Sequence, residues 1–356
     1  MKKNFLVIGN PIDHSLSPKL HNYWIKKYKI DAVYEKKLLN NNEIKDLIFN
    51  IRKEKIHGLN VTVPFKKTVI PFLDELSEEA KISQSVNTIY KKNDKILGDN
   101  TDIEGFKLSL EKTEQETKNK KALILGAGGV VPSIITALKK MQIEKIYLSN
   151  RTELKAIELK KHFPEIEIVK WGEILDFDII INATSIGLKE EDEININYKK
   201  ISEDKFFYDV IYNPPETNFL KNAKKYGGIT KNGKMMFIYQ AQKAFFIWHK
   251  VVPEVDNEII KWGETLDFDI IINATSIGLK EEDEININYQ QISKDKFFYD
   301  VIYNPPETNF LKNAKKYGGI TKNGKMMFIY QAQKAFFIWH KVVPEVDNET
   351  INLLDV

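Results

Sequence analysis

The sequence contains no cysteine. A disulfide framework, a thiolate metal site and a cysteine nucleophile are therefore excluded. Arginine is almost absent, standing only at positions 52 and 151, so lysine carries nearly all the basic charge. Long apolar runs are missing as well. The longest uncharged stretch, Ala122 to Leu138, is interrupted by Gly126, Gly128, Gly129 and Pro132. It falls short of the ~20 apolar residues of a membrane span. The run Phe5 to Ile8 behind Met1-Lys2-Lys3 is too short for a signal peptide. Net charge is only +3, from 53 basic and 50 acidic residues, which gives no electrostatic case for nucleic acid. A soluble, cytoplasmic chain with no membrane partner is expected. Its 356 residues, 42% of them hydrophobic, are enough for two or more cores.

Organisation is dominated by a tandem duplication. Lys170-Trp171-Gly172 recurs as Lys261-Trp262-Gly263, and the offset of 91 holds through Glu258 and Glu349. Only Ile174/Thr265, Lys199/Gln290, Lys200/Gln291 and Glu203/Lys294 differ. Solenoid repeats are shorter, more numerous and more divergent. Two long, near-identical copies read instead as one domain segment present twice.

Strand and helix patterns alternate along the chain, which predicts an α/β fold with largely parallel sheets. In the N-terminal part, strands are expected at 5–8, 32–39 and 59–63, helices at 18–28, 42–53 and 77–83, and a hairpin at 88–98. Thr101-Asp102 opens a helix to Glu111, and Lys112 to Lys120 is the best linker. Strand 122–125 is then fully apolar, as in a buried parallel sheet. Helices at 132–140 and 153–162 alternate with strands at 145–149 and 166–169. The repeated segment adds strands 178–182 and 206–211, a helix after Pro215 and a long helix from Met235 to Lys250.

Gly126-Ala127-Gly128-Gly129 lies between an apolar strand and a helix, the setting of a dinucleotide phosphate turn. Gly126 permits the tight turn, and Gly128 lets backbone N–H groups approach a pyrophosphate at the helix N-terminus. The third small position of that fingerprint holds Val131, a departure that could widen the helix–strand packing. A bare turn without ligand would need the same glycines. The next strand ends in Asn150-Arg151-Thr152, where an NAD site would carry an acid on the ribose. An arginine fork there suits the 2′-phosphate of NADP instead.

Small polar groups gather elsewhere at predicted strand ends. Ser15 and Ser17 precede a helix, where they could bind a carboxylate or simply cap. Asn60 and Thr62 share one strand face, with Lys66 just beyond. Asn87 and Asp102 complete the set, although an Asp at a helix start is ordinarily a cap. Six histidines make no H-x-x-x-H pair, and no metal site is expected.

Together these stretches resemble shikimate dehydrogenase. The resemblance rests on Asn10-Pro11, Ser15-Leu16-Ser17-Pro18, Asn60-Val61-Thr62-Val63-Pro64-Phe65-Lys66 and Ser85-Val86-Asn87-Thr88. It continues through Gly98 to Gly105, Asn150-Arg151-Thr152, Asn182-Ala183-Thr184-Ser185, Tyr212-Asn213-Pro214 and Met235 to Phe245, covering about 1–258 in order. It implies an NADP-dependent enzyme that reversibly reduces 3-dehydroshikimate to shikimate, with Lys66 and Asp102 as catalytic pair. Ser15, Ser17, Asn60, Thr62, Asn87, Asp102, Tyr212 and Gln240 would hold the substrate. Gly126, Ala127, Gly128, Gly129, Val130, Asn150, Arg151, Thr152, Lys155, Thr184, Ile211 and Gly233 would hold the cofactor. The architecture implied is a substrate domain at 1–101, a Rossmann-like domain at 102–237 and a returning helix at 238–260. Residues 261–356 repeat 170–258 and add a short tail. A homodimer is the candidate assembly.

Two rival readings are an NAD-dependent quinate/shikimate dehydrogenase and a binding remnant whose sheet the duplication has broken. Both copies carry the same groups (Thr184/Thr275, Tyr212/Tyr303, Gly233/Gly324, Gln240/Gln331), but only one first half, 122–169, exists. Copy one reaches it through about eight residues and copy two through roughly 100, a closure difference of about 2 kcal/mol. Copy one is therefore expected to complete the sheet. Copy two would be surplus, tending to disorder, self-association or swapping.

Overall fold

The computed structural model describes residues 2–113, 115–173, 176–200, 205–256, 259, 270–285, 287, 289 and 296–353. Lys261-Trp262-Gly263, the last three tail residues and the differing positions 174, 203, 265, 290, 291 and 294 lie outside them. The chain divides into two compact units, 1–263 and 264–356.

The first unit holds two sheets. One contains β1 (Lys3–Gly9), β2 (Ala32–Leu38), β3 (Gly58–Val61), β4 (Glu75–Leu76), β5 (Thr88–Lys92) and β6 (Lys95–Asp99), in the order β2-β1-β3-β5-β6-β4. The two-residue strand β4 and the 3-10 turns carry too little periodicity to be visible in sequence. Strands β1, β2 and β3 are parallel, and β5–β6 is the expected hairpin, antiparallel to β3. Helices α1 (Ser17–Lys27), α2 (Ile44–Arg52) and α3 (Glu78–Ser83) belong to this part.

The second sheet is parallel throughout: β7 (Lys121–Leu125), β8 (Lys145–Ser149), β9 (Glu167–Ile168), β10 (Ile179–Asn182), β11 (Phe206–Asp209) and β12 (Ile229–Lys231). Its order, β12-β11-β10-β7-β8-β9, is that of a doubly wound dinucleotide fold. Strand β7 explains its own composition. Ala122 and Ile124 enter one core while Leu123 and Leu125 enter the core on the opposite face, so all four must be apolar. Helices α4 (Asp102–Glu111), α5 (Val131–Lys140), α6 (Glu153–His162) and α7 (Asn218–Lys225) accompany this sheet. Val131 is fully buried against it, so the departure from a small residue is absorbed in the core.

Helix α8 (Lys234–His249) returns to the first sheet, where Ile238, Ala241 and Phe245 pack with Phe5, Leu20 and Trp24. It crosses α4 at Gly105, where a Cβ would lie 2.8 Å from the Cβ and N of Gln240 and from the Met236 carbonyl oxygen. Only glycine lets the two backbones meet so closely.

Copy one therefore completes the dinucleotide sheet, as β10 pairs directly with β7. The broken sheet required by the remnant reading is not present. Copy two is not left without structure. Strands β13 (Ile270–Asn273), β14 (Phe297–Asp300) and β15 (Ile320–Lys322) form a sheet, with α9 (Asn309–Lys316), α10 (Lys325–His340) and α11 (Asn348–Asn352). Phe298, Phe310, Leu311 and Ala314 make its small core. Ile270 and Ile272 are 57% and 59% exposed, whereas their counterparts Ile179 and Ile181 are 2% and 0% exposed beside β7.

Candidate active site

Lys66 and Asp102 meet as a buried pair, with Nζ donating to Oδ2 at 2.5 Å. Lys66 follows β3 in the turn that begins at cis-Pro64, and Asp102 is the first residue of α4. Asp102 does not cap its helix. Its second oxygen accepts from Asn87 Nδ2 at 2.9 Å, so the carboxylate is spent on the site. Asn87 is held in turn, because its Oδ1 accepts from the Thr101 N–H at 2.8 Å. The same amide lies 3.4 Å from Gln240 Oε1, which brings α8 to this cluster. Asn60 Nδ2 donates to the Asn87 carbonyl and Thr88 Oγ1, at 3.0 and 3.1 Å. Thr62 is half-buried one residue past β3 on the same side of the chain.

Ser15 and Ser17 flank the start of α1. The cap residue is Leu16 and no side chain caps the helix. Ser15 Oγ accepts from the Ser17 N–H at 3.4 Å, and the buried hydroxyl of Tyr34 donates to Asn60 Oδ1 at 2.6 Å. Tyr212 approaches from the other sheet. It stacks on Phe237 with centroids 4.5 Å apart, and burial raises its hydroxyl pKa. Ile211 and Tyr212 are placed by Asp209, whose carboxylate accepts from the Ile211 N–H, Asn182 Nδ2 and Thr217 Oγ1. Burial pushes that carboxyl up to about 6, against the three donors.

The glycine loop stands beside this polar cluster. Gly126 has φ +108°, and a Cβ there would strike the Ala183 carbonyl and Thr184 at 2.8 Å. Thr184 is itself fixed by Asn182, through N and Oγ1 at 3.0 and 2.7 Å. Gly128 and Gly129 are exposed, and Ser85 Oγ donates to the Gly129 carbonyl at 3.3 Å. A Cβ on Gly129 would be 4.0 Å from Lys66 Cδ, so the loop and the Lys66–Asp102 pair are neighbours. Val130 caps α5. At the end of β8, Asn150 Nδ2 donates to the Thr152 carbonyl at 2.7 Å, with Arg151 and Lys155 exposed. Gly233 caps α8, and its N–H donates to the Ile211 carbonyl. An open glycine turn at the β7/β10 switch point, with an arginine and no acid at the β8 end, fits a dinucleotide bearing a 2′-phosphate.

Sequence reasoning missed three supports. Asn100 Nδ2 donates to Ser83 Oγ, the Ser85 carbonyl and Ser133 Oγ, tying the β6–α4 turn to α5. Asp209 and Tyr34 are the others. A buried tyrosine on an inward strand position needs a hydroxyl partner, and that was the available signal for Tyr34. Among the described residues, no group of three or more His, Asp or Glu is placed to hold a metal, and no helix is long and apolar enough to cross a membrane.

Known proteins are similar to this chain over most of its first unit. Residues 7–89 match the family described as shikimate dehydrogenase substrate binding domain, and 107–217 match shikimate / quinate 5-dehydrogenase. The shikimate dehydrogenase (NADP(+)) of Pelagibacter ubique is 88% identical over 260 residues, 73% of this chain and 98% of that protein. The solved shikimate dehydrogenase of Aquifex aeolicus superposes with TM-score 0.68 at 39% identity, over 74% of this chain and 97% of that one. The enzyme of Thermus thermophilus, solved with NADP(H) and shikimate, gives TM-score 0.66 at 29% identity, over 71% and 95%. With 7–89 and 107–217 matched in order and a relative 88% identical over 260 residues, this chain belongs to the shikimate dehydrogenase family.

Proposed function

We propose that the chain catalyses the reversible NADPH-dependent reduction of 3-dehydroshikimate to shikimate, with the site residues acting as follows. The observation that carries this is the buried Lys66–Asp102 pair beside an open dinucleotide turn. Reducing a ketone to an alcohol adds one hydride at carbon and one proton at oxygen. NADPH, held by 126–130, Asn150, Arg151, Thr152, Lys155, Thr184, Ile211 and Gly233, supplies the hydride when bound. Lys66 donates the proton to the oxygen as negative charge develops there, and takes it back in the oxidation direction. Asp102 keeps Nζ aimed at that oxygen and accepts from the neighbouring ring hydroxyl. Asn87, held rigid by Thr101, orients Asp102 and, with Gln240, Thr62 and Asn60, reads the remaining hydroxyls. Ser15, Ser17 and Tyr212 receive the carboxylate at the other end of the ring.

The domain limits 1–101, 102–237 and 238–260 belong to the same reading, with 261–356 surplus to the reaction. So do a homodimer, tested by sedimentation, and a cytoplasmic location, tested by fractionation. The deciding assay incubates the purified full chain with shikimate and NADP and follows NADPH. Turnover is expected, with NAD and quinate poorer. A folded chain that oxidises no shikimate would overturn the proposal.

A further inference from the structure

Ser85 lies buried in the turn between α3 and β5, two positions before Asn87. Its peptide link to Val86 is gripped on both sides. The Ser85 carbonyl accepts from Asn100 Nδ2 at 2.8 Å, and the Val86 N–H donates to the Lys66 carbonyl at 2.8 Å. The Ser85 backbone is therefore fixed both to the turn that carries Lys66 and to the turn that leads into Asp102. From this anchored position the side chain reaches across to the glycine turn, where Oγ donates to the Gly129 carbonyl at 3.3 Å.

That carbonyl is one the helix passes over. At the start of α5 the Val131 N–H donates to the Gly128 carbonyl, and the Ser133 and Ile134 N–H groups both donate to Val130. Among the described residues, the donor to the Gly129 carbonyl is the Ser85 hydroxyl. The consequence lies one atom further along the chain. The 129–130 peptide is trans, and a trans peptide is planar with its C=O and N–H pointing in opposite directions. Holding the Gly129 carbonyl toward Ser85 turns the Val130 N–H away from it, at the helix N-terminus where a pyrophosphate binds. Asn100 braces the arrangement a second time. Its Nδ2 also donates to Ser133 Oγ at 2.9 Å, in the first turn of α5.

We propose that Ser85 is a positioning residue for the cofactor turn. From the substrate half it fixes the 129–130 peptide, and so aims the Val130 N–H at the pyrophosphate of NADP. The proposal rests on the cofactor role given above to 126–130.

Ser85→Ala removes one hydroxyl and leaves the backbone grip in place. Calorimetry on the full chain with 2′-phospho-ADP-ribose, which carries the pyrophosphate, should show Kd raised about three- to ten-fold, what one lost hydrogen bond is worth. NADPH, followed by its fluorescence, should weaken by the same factor. Binding of 2′-AMP, which has the 2′-phosphate but no pyrophosphate, should not change, nor should KM for shikimate. Should Ser85→Ala fold poorly, Ser133→Ala releases α5 from Asn100 and should weaken both pyrophosphate ligands by a smaller factor, again sparing 2′-AMP. Equal weakening of 2′-AMP would mean a merely structural role, and unchanged binding of 2′-phospho-ADP-ribose would mean no role. Either result overturns the assignment. The functional reading fails differently: an unsubstituted chain that binds these ligands yet oxidises no shikimate would sink that reading and leave the assignment standing. One that binds none of them would sink both.

Discussion

Gly105→Ala sets two known effects against each other. On helix propensity alone, replacing glycine by alanine inside α4 should stabilise the protein by about 1 kcal/mol. Packing argues the reverse. The new Cβ would sit 2.8 Å from Gln240 Cβ, Gln240 N and the Met236 carbonyl oxygen, about 0.6 Å short of the 3.4 Å where ordinary contact begins. Two of those three atoms are backbone, so no rotamer change relieves the clash and α8 must move bodily. Overpacking of this kind costs roughly 1–3 kcal/mol, and rigid partners place it in the upper half of that range. The net loss should be about 1–2 kcal/mol, a fall in Tm of roughly 2–8 °C for a unit of this size. The same displacement carries Gln240 away from Asn87, to which it is only just within reach at 3.4 Å. A shift near 1 Å at a substrate-positioning group can cost up to about 100-fold in kcat/KM. Thermal unfolding by circular dichroism and initial rates of shikimate oxidation read the two effects separately. A variant with unchanged or raised Tm and normal kcat/KM would refute the close-crossing argument, leaving propensity as the stronger effect.

Lys66→Ala should lower kcat by about 100-fold or more with a much smaller change in KM, since the proton transfer matters mainly in the transition state; near-normal kcat would remove Lys66 from that role. Arg151→Ala should raise KM for NADP by roughly ten-fold and leave NAD use unchanged, and equal losses with both cofactors would contradict a 2′-phosphate contact. Gln240→Ala should cripple shikimate oxidation while Gln331→Ala leaves it intact, because β10 and not β13 pairs with β7; the opposite result would make copy two the working half. His21 and His249 have pKa values lowered by burial to about 3 and about 4. The unfolded chain therefore binds more protons, and their share of stability is present above about pH 6.5 and lost as pH falls toward 3. His21→Phe should flatten the acid side of a Tm–pH profile by an amount on the order of 4 kcal/mol at pH 3, and an unchanged slope would contradict the burial argument.

The order of elements was legible because local chemistry dictates it. The all-apolar run of β7, the glycines after it and the arginine ending β8 each state their surroundings in a few adjacent residues. The duplication was legible by inspection, and loop closure sufficed to assign copy one to the sheet. The individual roles of Lys66 and Asp102 were not legible from spacing. A lysine is ordinarily solvated and an aspartate at a helix start is ordinarily a cap. The two are 36 positions apart, and only the turn after β3 and the start of α4, brought side by side, make them a buried pair. Asp209 and Asn100 were hidden for the same reason. Their partners lie on other strands and helices, and a hydrogen bond between distant segments leaves no periodic trace in the sequence. The exposure of copy two follows the same division. Residues identical to those of copy one form the same strands and the same small core, since local sequence suffices for that. Whether Ile179 or Ile270 is buried depends on a third strand, β7, and the chain contains only one.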